Sequence, residues 1–304
     1  MGKIAFLFSG QGAQNVGMGK AFYDTDVTVK ALFDACEKRR PGTLSTMFTG
    51  PEEALTDTRN TQPCLYLCDL AAAIAAERAG LRAEAVCGFS LGEIPALAYA
   101  GAYSYETGFD LVVKRGEAMA KAAAQTPAAM AAVVKLSNAD VEKACAGLEG
   151  VYPVNYNCAG QVSVSLKAER MEALEQSVKA LGGRVIPLKV SGGFHSPFMD
   201  GAAAEFAEVL KATDIHAPKI TAYSNVTARP YSDEVTAVLS GQINHPVKWE
   251  ATIRHLAENE FDTFVEVGVG SVLQKLVTKI LPGAATFAVN DQASLENAVK
   301  EILG

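Results

Sequence analysis

The sequence predicts an α/β protein, a mostly parallel sheet with helical crossovers interrupted by a small α+β unit. Three observations predict it. Apolar runs of a few residues bounded by glycine recur along the chain, with longer helical patterns between them. Those runs alternate little, as strands covered on both faces do. Between residues 126 and 190 the pattern changes to shorter segments in the order β-α-β-β-α-β.

In the main body, residues 4–8, 85–87 and 264–267 read as strands, and 62–79, 93–100, 105–124 and 271–280 as helices. The insert opens with a strand over 129–135, then a helix through residue 146 capped by Ser137 or Asn138. Strands over 152–157 and 162–166 are joined by the turn 158–161, a helix over 168–181 is closed by Gly182 and Gly183, and a strand over 185–190 completes the unit. That order is the ferredoxin-like pattern, so residues 126–190 form a small domain inserted into a larger one built from 1–125 and 191–304. After it come a helix over 202–210, a strand over 218–223 and a surface excursion over 230–241.

A chain of 304 residues is long enough to bury roughly three quarters of its unfolded surface, which suits one large core with a modest second unit. Its 34 acidic and 27 basic residues give a net charge of -7, and the basic residues are dispersed, which argues against a nucleic-acid partner. The six cysteines form no CxxC pair and read as small buried apolar residues of a reducing compartment. Cys64 and Cys68 share a helical face, yet no histidine or further cysteine stands near to complete a metal shell, so no metal is expected. The first apolar run is too short for a secretory signal, and no apolar stretch is long enough to span a bilayer, so a cytoplasmic location is expected with no membrane partner.

The strongest local signal is Gly88-Phe89-Ser90-Leu91-Gly92, a GxSxG sequence between a short apolar run and a helical pattern. That context suits a nucleophile elbow, where a sharp turn exposes the serine oxygen at a helix N-terminus. The alternative is a glycine-rich turn in which Ser90 only caps a helix. Pro95 lies beyond the first helical position and is expected to kink or shift that helix. A serine needs a base, and of His195, His216, His245 and His255 only His195 sits in a glycine-rich junction after a strand, at Ser191-Gly192-Gly193-Phe194-His195. The first strand runs into Ser9-Gly10-Gln11-Gly12, whose spacing is not that of a dinucleotide fingerprint; no nicotinamide cofactor is expected. Backbone N–H groups of Gln11 and Leu91 would form an oxyanion hole if they converge. Arg115 stands in an apolar helical pattern and either reaches solvent or, if buried, requires an anionic guest.

Taken with Arg115-Gly116, Met119, Asn155-Tyr156-Asn157, Phe194-His195-Ser196-Pro197, Gln242-Ile243-Asn244-His245-Pro246 and Glu266-Val267-Gly268, these motifs resemble the malonyl-CoA:acyl carrier protein transacylases. More broadly they resemble the acyltransferase domains of fatty acid and polyketide synthesis. The resemblance runs nearly end to end. It implies a hydrolase-like body with a ferredoxin-like insert, and a malonyl group carried from malonyl-CoA to the phosphopantetheine thiol of holo acyl carrier protein. Ser90 would be the nucleophile, His195 its base and acid, and Gln11 and Leu91 the oxyanion donors. Gln242 would orient His195 through its main-chain carbonyl, and Arg115 would bind the malonyl carboxylate. Phe194 and Leu91 would crowd an α-methyl branch, and Asn157 and Met119 would lie at the cleft. Phe89 departs from the family's usual histidine before the nucleophile, which alters the polarity of the pocket. No tightly held cofactor is implied, and the resemblance favours a monomer. Two rival readings use the same residues: a serine thioesterase or esterase, and a noncatalytic carrier-binding protein with a relic elbow.

Overall fold

The computed structural model describes residues 2–190 and 192–304; Met1 and Ser191, the latter opening the predicted His195 junction, lie outside the described residues. Among the described residues nine strands form two sheets: β1 Lys3–Phe8, β2 Ala85–Gly88, β3 Ala129–Val134, β4 Val151–Cys158, β5 Gln161–Leu166, β6 Arg184–Leu188, β7 Thr221–Ala222, β8 Phe261–Val267 and β9 Ala285–Val289. The larger sheet has the order β7-β2-β1-β8-β9, and every pairing in it is parallel. The inner strand β1 is fully covered from Ala5 to Phe8, which is why its sequence shows no alternation. Because β2 and β8 lie on opposite sides of β1, a crevice opens at the carboxyl ends of these strands, the usual place for a ligand in such a sheet. The smaller sheet has the order β4-β5-β3-β6, entirely antiparallel, with helices Asn138–Cys145 and Met171–Ala180 in its connections. Ser137 caps the first of these, its hydroxyl accepting the Asp140 N–H.

Helix Thr58–Arg78 is buried on nearly every side from Thr61 to Ala76 and forms the centre of the main core, where its alanines let neighbouring elements approach. It starts four residues before the predicted helix, at an Asp57 cap, and carries Pro63 within it. Its outer face is covered by four helices within residues 20–56 that periodicity does not reveal: three have seven residues or fewer, and the fourth, Val27–Arg39, is only weakly amphipathic. Strand β9 and helix Gln292–Leu303 lie beyond the elements that the sequence pattern predicts; Asp291 and Ser294 form the capping box that starts the helix. The expected strand at 218–223 contracts to two residues. The surface excursion over 230–241 is corrected by helix Val235–Ser240, whose Val235 and Leu239 are buried. Pro95 does not kink its helix: residues Ser90–Gly92 form a 3-10 turn, the α-helix begins at Glu93, and Pro95 falls in its first turn, where no intrahelical N–H is needed.

Candidate active site

The elbow is a steric construction before it is a chemical one. Ser90 has φ 54°, and the two glycines around it are required by close backbone approach: a Cβ on Gly88 would lie 1.9 Å from the Gly92 carbonyl carbon, and one on Gly92 would lie 2.2 Å from the Phe8 carbonyl oxygen. The turn therefore sits hard against the end of β1 and projects Ser90 into a cleft of about 350 Å³. That cleft is lined by the Ser9–Gln14 loop, Phe89, Ser90, Met119, Asn155, Asn157, Phe194 and His195, and by Leu188, Lys189 and Val190 from the edge of the smaller sheet.

His195, also at positive φ (60°), meets the nucleophile: Ser90 Oγ lies 2.6 Å from His195 Nε2. On the other side of the ring, Nδ1 faces the Gln242 carbonyl at 3.0 Å and the His245 carbonyl at 3.2 Å. Two acceptors require the ring proton on Nδ1, which leaves the Nε2 lone pair for the serine hydroxyl. Burial and the charge of Arg115 lower the imidazole pKa to about 4, against a smaller opposing effect of the two carbonyls. The ring is therefore neutral, as a base must be, at neutral pH. Of the other histidines, His216 is exposed beside Asp214 and His255 faces the Tyr223 hydroxyl at 3.1 Å.

Arg115 is fully buried and does not reach solvent. Its Nη1 donates to Gln62 Oε1 at 2.7 Å, and its Nη2 donates to Gln242 Oε1 at 2.8 Å and to Ser90 Oγ at 3.3 Å. All three partners are neutral, and Nε has none. Burial lowers its pKa to about 10, so the guanidinium keeps its charge at neutral pH. A buried cation held only by neutral oxygens has the chemistry to take a carboxylate.

The remaining predicted residues divide between cleft and scaffold. Phe194 and Asn157 line the cleft; Asn157 donates to Ser163 Oγ at 3.3 Å and leaves its buried Oδ1 free of any partner. Met119 lines it too, its sulfur accepting from Gln62 at 3.3 Å. Gln11 follows β1, its side-chain oxygen accepting from the Thr58 hydroxyl. The Leu91 side chain is fully buried in the main core and is not among the residues that line the cleft. Gln242 does more than supply a carbonyl: its Oε1 accepts from Arg115 and its Nε2 donates to the Ser90 carbonyl at 2.6 Å. Sequence reasoning missed Gln62, the His245 carbonyl and Asn225, whose Oδ1 accepts the Ser90 N–H at 2.8 Å. The available signals were a glutamine inside an apolar helix and the polar cluster Ser224-Asn225 just after a strand. All six cysteines are free and buried. Among the described residues no cluster of three or more potential ligands for a metal occurs, and no helix is long and apolar enough to cross a membrane.

Comparison with known proteins agrees with this geometry. The family model described as "Acyl transferase domain" matches residues 5–295. A malonyl CoA-acyl carrier protein transacylase of Bacillus subtilis (strain 168) is 37% identical over 310 residues, covering 99% of this chain and 98% of the relative. The crystal structure of a malonyl CoA-acyl carrier protein transacylase from Clostridium perfringens superposes with a TM-score of 0.94 at 33% identity, covering 99% of this chain and 97% of that one. A malonyl-transacylase solved in complex with its type II PKS acyl-carrier protein gives a TM-score of 0.93 at 31% identity, covering 98% and 99% of the two chains. With likeness over the whole length, and the Ser90 hydroxyl within reach of both the His195 ring and the buried Arg115 guanidinium, the chain belongs to the acyl transferase domain family.

Proposed function

We propose that this chain transfers the malonyl group of malonyl-CoA to the phosphopantetheine thiol of acyl carrier protein through a malonyl ester on Ser90. The observation that carries the reading is the buried Arg115 guanidinium 3.3 Å from the Ser90 oxygen, which itself lies 2.6 Å from a neutral imidazole. In the first half-reaction the Ser90 hydroxyl gives its proton to His195 Nε2 as its oxygen attacks the thioester carbon. Backbone N–H groups of Gln11 and Leu91 hold the oxyanion; when the tetrahedral species collapses, the C–S bond breaks and His195 returns the proton to the CoA sulfur. The second half runs in reverse, with the carrier's thiol deprotonated by His195 and attacking the serine ester.

The free malonyl carboxylate pairs with Arg115, replacing neutral amide oxygens with a charge. Gln242 orients His195 from the main chain and Arg115 from the side chain. Phe194, Met119 and Asn157 shape the cleft around the acyl group. The body is read as hydrolase-like, built from residues 1–125 and 191–304, and the antiparallel sheet as a ferredoxin-like insert over 126–190, a reading its strand order supports. A cytoplasmic monomer without nucleic-acid partner or tightly bound cofactor fits the free buried thiols and the net charge of -7.

Incubation with malonyl-CoA and purified holo carrier tests the reading. Malonylated carrier is the expected product. Free malonate with unmodified carrier would instead make the chain a thioesterase.

A further inference from the structure

The mechanism leaves the buried carboxamide of Asn225 unused. Asn225 follows β7 and is 1% exposed. Its Oδ1 accepts the Ser90 N–H at 2.8 Å while its Nδ2 donates to the Gly88 carbonyl at 2.6 Å. One side chain thus ties the last residue of β2 to the nucleophile across Phe89. A residue with a Cβ held at φ 54° needs such outside restraint, because that backbone region is sparsely populated. The clamp is itself seated: the Asn225 N–H donates to Glu93 Oε1 at 3.0 Å, and the Tyr231 hydroxyl donates to the same oxygen at 2.5 Å. Gln242 Nε2 donates to the Asn225 Oδ1 at 3.4 Å, so the clamp touches the residue whose main-chain carbonyl faces His195.

We propose that Asn225 is a positioning residue for acyl transfer: its carboxamide fixes both ends of the elbow and takes up the Ser90 N–H, leaving the Leu91 N–H as the elbow's donor to the oxyanion. This rests on the reading of Ser90 as the acylated nucleophile. Without the clamp, the Ser90 N–H is released and the hydroxyl drifts from His195, and a displacement of about 1 Å is enough to slow chemistry on the order of 100-fold.

The test compares full-length wild type, Asn225→Ala and Asn225→Asp, reading by intact mass the rate of Ser90 labelling with malonyl-CoA and with a fluorophosphonate, which needs no particular acyl group. Asn225→Ala is expected to slow both reagents about 100-fold at any pH, with the loss in kcat and little change in KM for malonyl-CoA. In Asn225→Asp the introduced carboxyl, buried beside Glu93, keeps the acceptor for the Ser90 N–H and regains the donor to Gly88 only when protonated. Its labelling rate relative to wild type is therefore expected to rise roughly 10-fold between about pH 8 and about pH 5, while the Asn225→Ala ratio stays flat. Glu93, Tyr231, Arg115 and His195, the titratable groups around this point, are common to all three proteins, and the Asn225→Ala ratio, with no added charge, is the reference against which the Asn225→Asp ratio is read. If Asn225→Ala does not fold, the pH dependence of the Asn225→Asp ratio still decides. Wild-type labelling rates in Asn225→Ala, or a pH-independent ratio for Asn225→Asp, overturn the proposal. Wild type that takes the fluorophosphonate but no malonyl group would overturn the malonyl reading and leave the clamp intact.

Discussion

In the proposed reaction, substrate choice and acid tolerance fall to two side chains. Arg115 offers a charged hydrogen bond that only a substrate with its own carboxylate completes, a difference worth about 1.5–3 kcal/mol. Arg115→Ala is accordingly expected to lose malonyl transfer roughly 10- to 150-fold more than acetyl transfer; equal losses in the two assays would remove Arg115 from substrate binding. His195 has carbonyls behind it where other serine enzymes place an acid, so its protonated form gains only their weaker support, and burial with the charge of Arg115 lowers its pKa to about 4. The base is competent wherever it is neutral, which is above that value. Fluorophosphonate labelling of Ser90 should therefore hold as pH falls past 6 and decline only near about 4; half-loss near the ordinary histidine value of about 6.5 would contradict the assignment. Gln242→Ala removes an amide that holds both Arg115 and the Ser90 carbonyl. It should cost far more than loss of an inert side chain, even though the main-chain carbonyl to His195 stays.

At the scale of elements, the elbow is the point where strand, turn and helix lock. Gly92→Ala drives a Cβ to within 2.2 Å of the Phe8 carbonyl oxygen, which is backbone and cannot yield cheaply. Overpacking of this kind costs about 1–3 kcal/mol, so chemical denaturation should show that loss together with slowed Ser90 labelling. What could be read of these elements from sequence depended on how they are buried. β1 and β2 announce themselves because uninterrupted apolar residues end at glycines, and the GxSxG spacing needs no tertiary information. The four helices within residues 20–56 are hidden because three have seven residues or fewer and the fourth, Val27–Arg39, is only weakly amphipathic. Strand β9 borders the larger sheet and is only partly covered, so its pattern is too weak to stand out. The site split in the same way: Ser90, His195 and Arg115 carry chemistry in their residue type. Gln62 and Asn225 act through contacts between elements distant in the chain, which spacing cannot show.

At the scale of the molecule, the cleft lies where the carboxyl ends of a parallel sheet meet the edge of a second, antiparallel one, and buried charge around it links stability to pH. Glu93, fully enclosed, has its pKa raised to about 7, chiefly by desolvation. Its unfolded value is near 4.5, so the stability this group contributes is full below that pH and is lost as pH rises through about 7. Glu93→Gln keeps an acceptor for Tyr231 and Asn225 but does not titrate. Relative to wild type it should gain on the order of 1–3 kcal/mol between about pH 5 and about pH 8, visible in urea unfolding; parallel behaviour of the two proteins would place the carboxyl's titration elsewhere. The most direct test of the whole account is intact mass spectrometry after brief exposure to malonyl-CoA, followed by a chase with holo acyl carrier protein. The account predicts one malonyl group on Ser90, absent in Ser90→Ala and discharged onto the carrier's thiol. An unmodified chain, or an adduct that only water removes, would contradict it.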